Sequence, residues 1–207
     1  MRKFGSKFRT LNKKAKLIVI SGPSGVGKTT ICNAIIARRK DIVYSISATS
    51  RPKRKGEVDG REYYFLTEDE FKRWIADGKF VEYARVHGNY YGTPRAFLEE
   101  NLKKGFHVLM DIDVQGAKKL MPIYPDGIYI FVLPPDFDEL KKRLVKRNTD
   151  DEKEIANRLK NAHEELKYLP DYKYVVKNTN LEDAITEILR IIDKETNEQS
   201  EKKHKNA

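Results

Sequence analysis

One cysteine, Cys32, in a chain of 207 residues excludes any intrachain disulfide. No apolar run approaches the roughly 18 residues that a membrane-spanning helix needs. The opening stretch, MRKFGSKFRTLNKKAK, lacks the apolar centre of a secretory signal. No internal repeat recurs, and no aromatic-studded basic module of the RNA-recognition type is present. These absences predict a cytoplasmic protein that does not depend on disulfides or lipid. The chain is 39% hydrophobic and 35% charged, a soluble globular composition, and is long enough to bury a core of its own.

Charge of one sign is in excess. Lysine and arginine number 41 against 31 acids, a net charge of +10. Much of that excess sits in the two ends, MRKFGSKFRTLNKKAK and EKKHKNA, which read as solvated tails. The body is nearer balance, so nucleic acid is disfavoured as the main partner, and the remaining positive charge suits a pocket for polyanionic small molecules.

The sharpest motif is Gly22-Pro23-Ser24-Gly25-Val26-Gly27-Lys28-Thr29, followed by Thr30. It matches G-x-x-x-x-G-K-[ST], in which a glycine-rich turn between strand and helix presents backbone N–H groups to phosphates. Gly25 and Gly27 permit close backbone approach, Lys28 can pair with β and γ phosphates, and the Thr29 hydroxyl can join the shell of a Mg²⁺ ion. An apolar run precedes the motif and an apolar-periodic segment with Ile31, Ile35 and Ile36 follows it, the context a nucleotide loop requires. The motif alone leaves open whether the terminal phosphate goes to water, to a protein or to a small acceptor. Cys32, on the helix after the loop, is expected to be a buried, inert thiol.

Apolar runs at Leu17 to Ile20, His107 to Ile112, Ile128 to Leu133 and Tyr174 to Val176 alternate with helix-like segments, which predicts an α/β core around a mostly parallel sheet. Thr67 and Glu70 read as a capping box, and Thr93-Pro94 opens a helix that Gly105 ends. Lys141 to Tyr168 carries Leu144, Ile155, Leu159 and Leu166 at helical spacing, and Asp183 to Ile192 reads as an amphipathic closing helix. From Tyr44 to Gly92 the alternation breaks into short strands, turns at Gly56, Asp59-Gly60 and Gly88-Asn89, and one helix, a β-rich insertion. Long excursions after parallel strands face the nucleotide edge of such sheets.

The blocks SISATSRPKRKGEVDGREYYF, FVEYARVHGNYYGTPR, DIDVQGAKKL and RLVKRNTDDEKEIANRL, in this order after the glycine loop, resemble guanylate kinase over nearly the whole chain outside the tails. The resemblance implies a P-loop NTPase-type parallel sheet core flanked by helices, with a β-rich GMP-binding insertion and a helical lid. It divides the chain into a basic tail (1–15), a core (16–46, 94–136 and 169–196), a GMP-binding region (47–93), a lid (137–168) and a charged tail (197–207). The implied activity is transfer of the ATP γ-phosphate to GMP, with dGMP expected as well, giving GDP and ADP in purine nucleotide metabolism.

Guanine presents N1–H and an exocyclic amine as adjacent donors and O6 as an acceptor, so carboxylates plus hydroxyls suit its edge whereas adenine reverses the key atoms. By resemblance, Glu82 and Asp113 accept from the base while Ser47 and Thr93 supply hydroxyls. Arg51 and Arg54, with Tyr63 and Tyr91, match positions that hold the acceptor phosphate, where guanidinium binds bidentately. Here the family's R-x-P-R reads Arg51-Pro52-Lys53-Arg54, with the proline moved one place. Asp111 and Asp113, two apart at a strand end, share a face; Asp111 is the expected partner of Thr29 in holding Mg²⁺. Arg147 and Arg158 match lid arginines that close on the transferring phosphate, with Asn148 standing where the family has glycine. Asn178 falls where the family contacts the adenine side, flanked by Lys177 and Thr179 that loosen the match. The catalytic set is therefore Lys28, Arg51, Arg147 and Arg158. Two rivals remain at this point: a guanylate-kinase-like protein-binding module, which the intact Gly27-Lys28-Thr29 and arginines disfavour, and a P-loop enzyme with another acceptor, which Ser47, Glu82, Thr93 and Asp113 disfavour.

Overall fold

Five short strands form one parallel sheet, and its carboxyl edge carries the glycine loop. The computed structural model describes residues 15–86, 88–146 and 152–204. Numbered along the chain, β1 (Leu17–Ser21), β2 (Ile42–Tyr44), β7 (His107–Asp111), β8 (Ile128–Leu133) and β9 (Tyr174–Lys177) pair in the order β2-β7-β1-β8-β9, every pair parallel. All five residues of β1 are buried, because helices cover both faces. Ile18 and Ile20 point to one side, against Ile31 and Ile35 of α1 (Lys28–Arg38) and Ile185, Ile188 and Ile192 of α7 (Leu181–His204). Leu17 and Val19 point to the other, against Leu98 of α3 (Arg95–Lys104) and Ala117 and Leu120 of α4 (Val114–Leu120). The two-residue period of the strand thus decides which layer each side chain joins.

The insertion forms a second sheet. Strands β3 (Ala48–Thr49), β4 (Tyr64–Phe65), β5 (Phe80–Val86) and β6 (Asn89–Pro94) pair in the order β4-β3-β6-β5. The β5–β6 hairpin turns at Gly88, whose φ of 80° suits glycine. Helix α2 (Glu68–Ala76) lays Phe71 against Phe80 and Tyr90, with ring centroids 4.4 and 5.3 Å apart. Its expected capping box is present: Thr67 Oγ1 accepts from the Glu70 N–H at 3.2 Å, and Glu70 Oε2 accepts from the Thr67 N–H at 2.8 Å. Such a cap is worth about 1 kcal/mol.

Three readings of the sequence change. The strand β2 was not foreseen, since three residues carry too little periodicity. Thr93-Pro94 both ends β6 and, with Pro94 as the N-cap of α3, opens the expected helix, which Gly105 ends at φ 89°. The long helical stretch divides into α5 (Phe137–Lys146), α6 (Glu152–Glu165) and a 3₁₀ turn (Leu166–Asp171) containing Pro170. The closing helix α7 is longer than the predicted Asp183 to Ile192. Among the described residues no helix is long and apolar enough to cross a membrane.

Candidate active site

The carboxyl ends of the parallel strands build the first half of the site. Between β1 and α1 the loop runs through Gly22, Gly25 and Gly27 at φ 134°, 92° and 101°. A Cβ on Gly22 would lie 2.2 Å from the Val132 carbonyl oxygen, so only glycine fits beside β8. Asn178, at the end of β9, is buried and donates from Nδ2 to the Val26 carbonyl at 2.8 Å, holding the loop from behind. That contact ties the end of β9 to the glycine loop. Lys28 Nζ lies over the loop and donates to the Gly22 carbonyl and, at 3.1 Å, to that of Pro23. Thr29 Oγ1 donates to Asp111 Oδ2 at 2.9 Å, while the Tyr44 hydroxyl donates to Asp111 Oδ1. The first turn of α1 and the ends of β2 and β7 thus converge on one carboxylate. Burial beneath the loop raises the Cys32 thiol pKa, as an inert thiol requires. Thr30 is exposed on α1.

The insertion faces this edge with a different chemistry. Glu82 on β5 is 6% exposed, and Thr93 on β6, fully buried, donates its hydroxyl to Glu82 Oε1 at 2.7 Å. The two strands pair Glu82 with Thr93 directly, which explains the contact. Burial pushes the Glu82 pKa up to about 7, with the Thr93 hydrogen bond lowering it and the Asp113 charge raising it. Gly116 on α4 closes behind the carboxylate: a Cβ there would stand 2.8 Å from Glu82 Oε2. Asp113 caps α4, its Oδ1 accepting from the N–H groups of Gln115 at 2.7 Å and Gly116 at 3.2 Å. One Asp113 oxygen therefore serves the helix, and its second acceptor oxygen takes no part in the cap.

The loop from Arg51 to Glu57 forms the third wall. Arg51 lies with its guanidinium 5.4 Å from the Tyr63 ring centroid and 5.6 Å from that of Phe65. Glu57 accepts from Arg51 Nη1 at 2.9 Å and Nη2 at 2.8 Å, and from the Arg54 N–H at 2.7 Å. Burial alone would raise the Glu57 pKa, but these hydrogen bonds hold its carboxyl below the usual range. The displaced Pro52 is accommodated within this turn, its carbonyl accepting from Arg51 Nη1 at 2.7 Å.

These walls enclose an open cleft of about 600 Å³. Of the expected residues, Ser24, Lys28, Thr29, Ser47, Arg51, Arg54, Tyr63, Glu82, Tyr91, Asp111, Asp113 and Arg158 line it together. Arg158 reaches it from α6 and is 8% exposed. Arg147 and Asn148 lie outside the described residues. Sequence reasoning missed Tyr44, Glu57 and Glu165, which also line the cleft. Glu165 follows Arg158 by seven residues, a spacing that puts both on one helix face, and burial pushes its pKa up to about 7. Glu57 follows Arg54 by three residues in a basic loop, a local acid-to-backbone spacing; Tyr44 offered no signal beyond an apolar trio.

Known proteins resemble this chain over most of its length. The Guanylate kinase family profile matches residues 14–195. A guanylate kinase of Caldanaerobacter subterraneus is 50% identical over 88% of this chain and 89% of its own, and one of Thermotoga maritima is 44% identical over 86% of each. The crystal structure of guanylate kinase from Anaplasma phagocytophilum superposes with a TM-score of 0.75 at 35% identity, covering 89% of this chain and 87% of that one. With the profile spanning nearly all of the sheet, insertion and helical segments just described, the chain belongs to the guanylate kinase family.

Proposed function

We propose that this cleft carries out the guanylate kinase reaction by holding ATP at the glycine loop and GMP at the insertion, with the two phosphate chains meeting between Lys28 and Arg51. The observation that carries this reading is Glu82: a buried carboxylate with a hydroxyl already on one oxygen, opening onto the same cleft as a P-loop lysine. Its free oxygen, with the uncommitted oxygen of Asp113, offers acceptors to the guanine N1–H and amine, and Ser47 offers a hydroxyl. Adenine would set its own N1 acceptor against the carboxylate, and sites of this kind discriminate by about 10⁴ to 10⁵.

The acceptor needs no general base, because a phosphate monoester is largely dianionic near pH 7. Catalysis is then positioning and charge stabilisation. Lys28 leaves the loop carbonyls to meet the β and γ phosphates, Arg51 and Arg54 hold the GMP phosphate with the Tyr63 and Tyr91 hydroxyls, and Arg158 and Arg147 add charge from the lid over residues 137–168. Thr29 and Asp111 offer hard oxygen donors side by side at 2.9 Å, a pair that would hold a magnesium ion. When bound, that ion supplies charge neutralisation at the β and γ oxygens. Tyr44 fixes the Asp111 carboxylate from the opposite side.

The test is ADP release from Mg·ATP with GMP, AMP, CMP, UMP and no acceptor, run in parallel. Release with GMP and dGMP alone is expected; release without acceptor would make the protein an NTPase, and silence from folded protein would leave a binding module.

A further inference from the structure

The acid of the Arg51–Glu57 loop is outside the set of groups proposed to meet substrate, yet it accepts three hydrogen bonds within that loop. Counting donors shows why. A guanidinium carries five N–H groups. Both on Nη1 are used, one by Glu57 Oε2 at 2.9 Å and one by the Pro52 carbonyl at 2.7 Å, and one on Nη2 is used by Glu57 Oε1 at 2.8 Å. What those bonds leave is Nε–H and the second Nη2–H, which together form the other long edge of the guanidinium; the Tyr91 phenol hydrogen-bonds the same guanidinium. The face of the same group is held by Tyr63 and Phe65. Arg51 and Glu57 side chains are 10% and 18% exposed, so the pair is shielded from the solvent that weakens surface ion pairs. Glu57 also takes the Arg54 N–H at 2.7 Å, which ties the second arginine to the first through one carboxylate.

Resting on the reading of this cleft as a GMP site, we propose that Glu57 is a positioning residue for the acceptor phosphate: it pins one edge of Arg51 and the backbone of Arg54, so that the opposite edge of Arg51 meets a phosphate monoester already oriented. A flexible arginine otherwise gives up rotamer freedom on binding. The opposite possibility is that Glu57 occupies the place of the phosphate and competes with it. The two make opposite predictions for the variant that keeps shape and loses charge.

The experiment measures dissociation constants of GMP and of guanosine, which lacks the phosphate, by calorimetry for the parent, Glu57→Gln and Glu57→Ala, with far-UV circular dichroism on each. Expected are a GMP constant raised about tenfold in both variants, equivalent to about 1.4 kcal/mol, and a guanosine constant within about twofold. In turnover the loss falls on the KM for GMP more than on kcat, while the KM for ATP stays within about twofold. Tighter or unchanged GMP binding in Glu57→Gln overturns the proposal, as does a parallel loss of guanosine, which would make Glu57 a prop for the whole insertion. A parent that binds no GMP removes the site reading itself, and the proposal with it.

Discussion

The two ends of the cleft are built from different materials. At the donor end the binding surface is backbone: a glycine loop at φ values side chains rarely adopt, a helix N-terminus and one lysine. At the acceptor end it is side chains: Glu82 set by Thr93, Arg51 set by Glu57, and Asp113 set by a helix cap. Backbone N–H groups read phosphate, which all nucleotides share, whereas buried carboxylates and hydroxyls read a base edge, which they do not. In the proposed reading, generality lives on the glycine loop, and selectivity on the insertion together with Asp113, between β7 and α4. Glu82, Arg51 and Asp113 on that side are each held by hydrogen bonds to other residues.

The comparison breaks most decisively at the donor end. Replacing Lys28 with alanine is expected to lower kcat by about 10³-fold, as loss of one preorganised charge does, with an unchanged circular dichroism spectrum. Near-parental turnover would remove the P-loop from the mechanism. At the selective end, Glu82→Gln is expected to reduce kcat/KM for GMP by about 10²-fold while the KM for ATP moves less than about twofold, because an amide nitrogen turned toward guanine meets another donor. Equal losses for both nucleotides would erase the division between the ends. Gly116→Ala sharpens it: the added Cβ, 2.8 Å from Glu82 Oε2, displaces the carboxylate without changing its charge, and a loss of about tenfold in GMP affinity alone is expected. Unchanged GMP binding there would show that the carboxylate needs no fixed place.

The smallest effect is on pH. Glu82, pushed up to about 7, must be ionised to accept from guanine, so GMP affinity falls as pH drops below 7, by about tenfold per unit once well below it. ATP affinity lacks that step, and Glu82→Gln abolishes it. For folding the sign reverses. A carboxyl whose folded pKa lies above its unfolded value of about 4.3 stabilises the ligand-free protein most below that value, and the contribution is lost as pH rises through 7. Denaturant midpoints compared at pH 5 and 7.5, for the parent and Glu82→Gln, isolate this share.

The donor end was the more legible in sequence, for a physical reason. Backbone conformation dictates residue type locally, so Gly22 to Thr29 declares itself within eight positions. The parallel sheet was legible too, because strands covered on both faces become continuous apolar runs such as Leu17 to Ile20. The acceptor end depends on pairs distant in the chain: Glu82 meets Thr93 through a hairpin register. Tyr44 and Asp111 are 67 residues apart and meet only because β2 joins the edge of β7. The hold of the Asn178 amide on the Val26 carbonyl is visible only once β9 lies beside the loop.

The most direct measurement follows the phosphate itself. In a single turnover with γ-³²P-labelled ATP, magnesium and GMP, the label is expected in the β-phosphate of GDP, with inorganic phosphate at background. Label in inorganic phosphate or on the protein would contradict a cleft that delivers phosphate from a general donor end to a guanine-selective acceptor end.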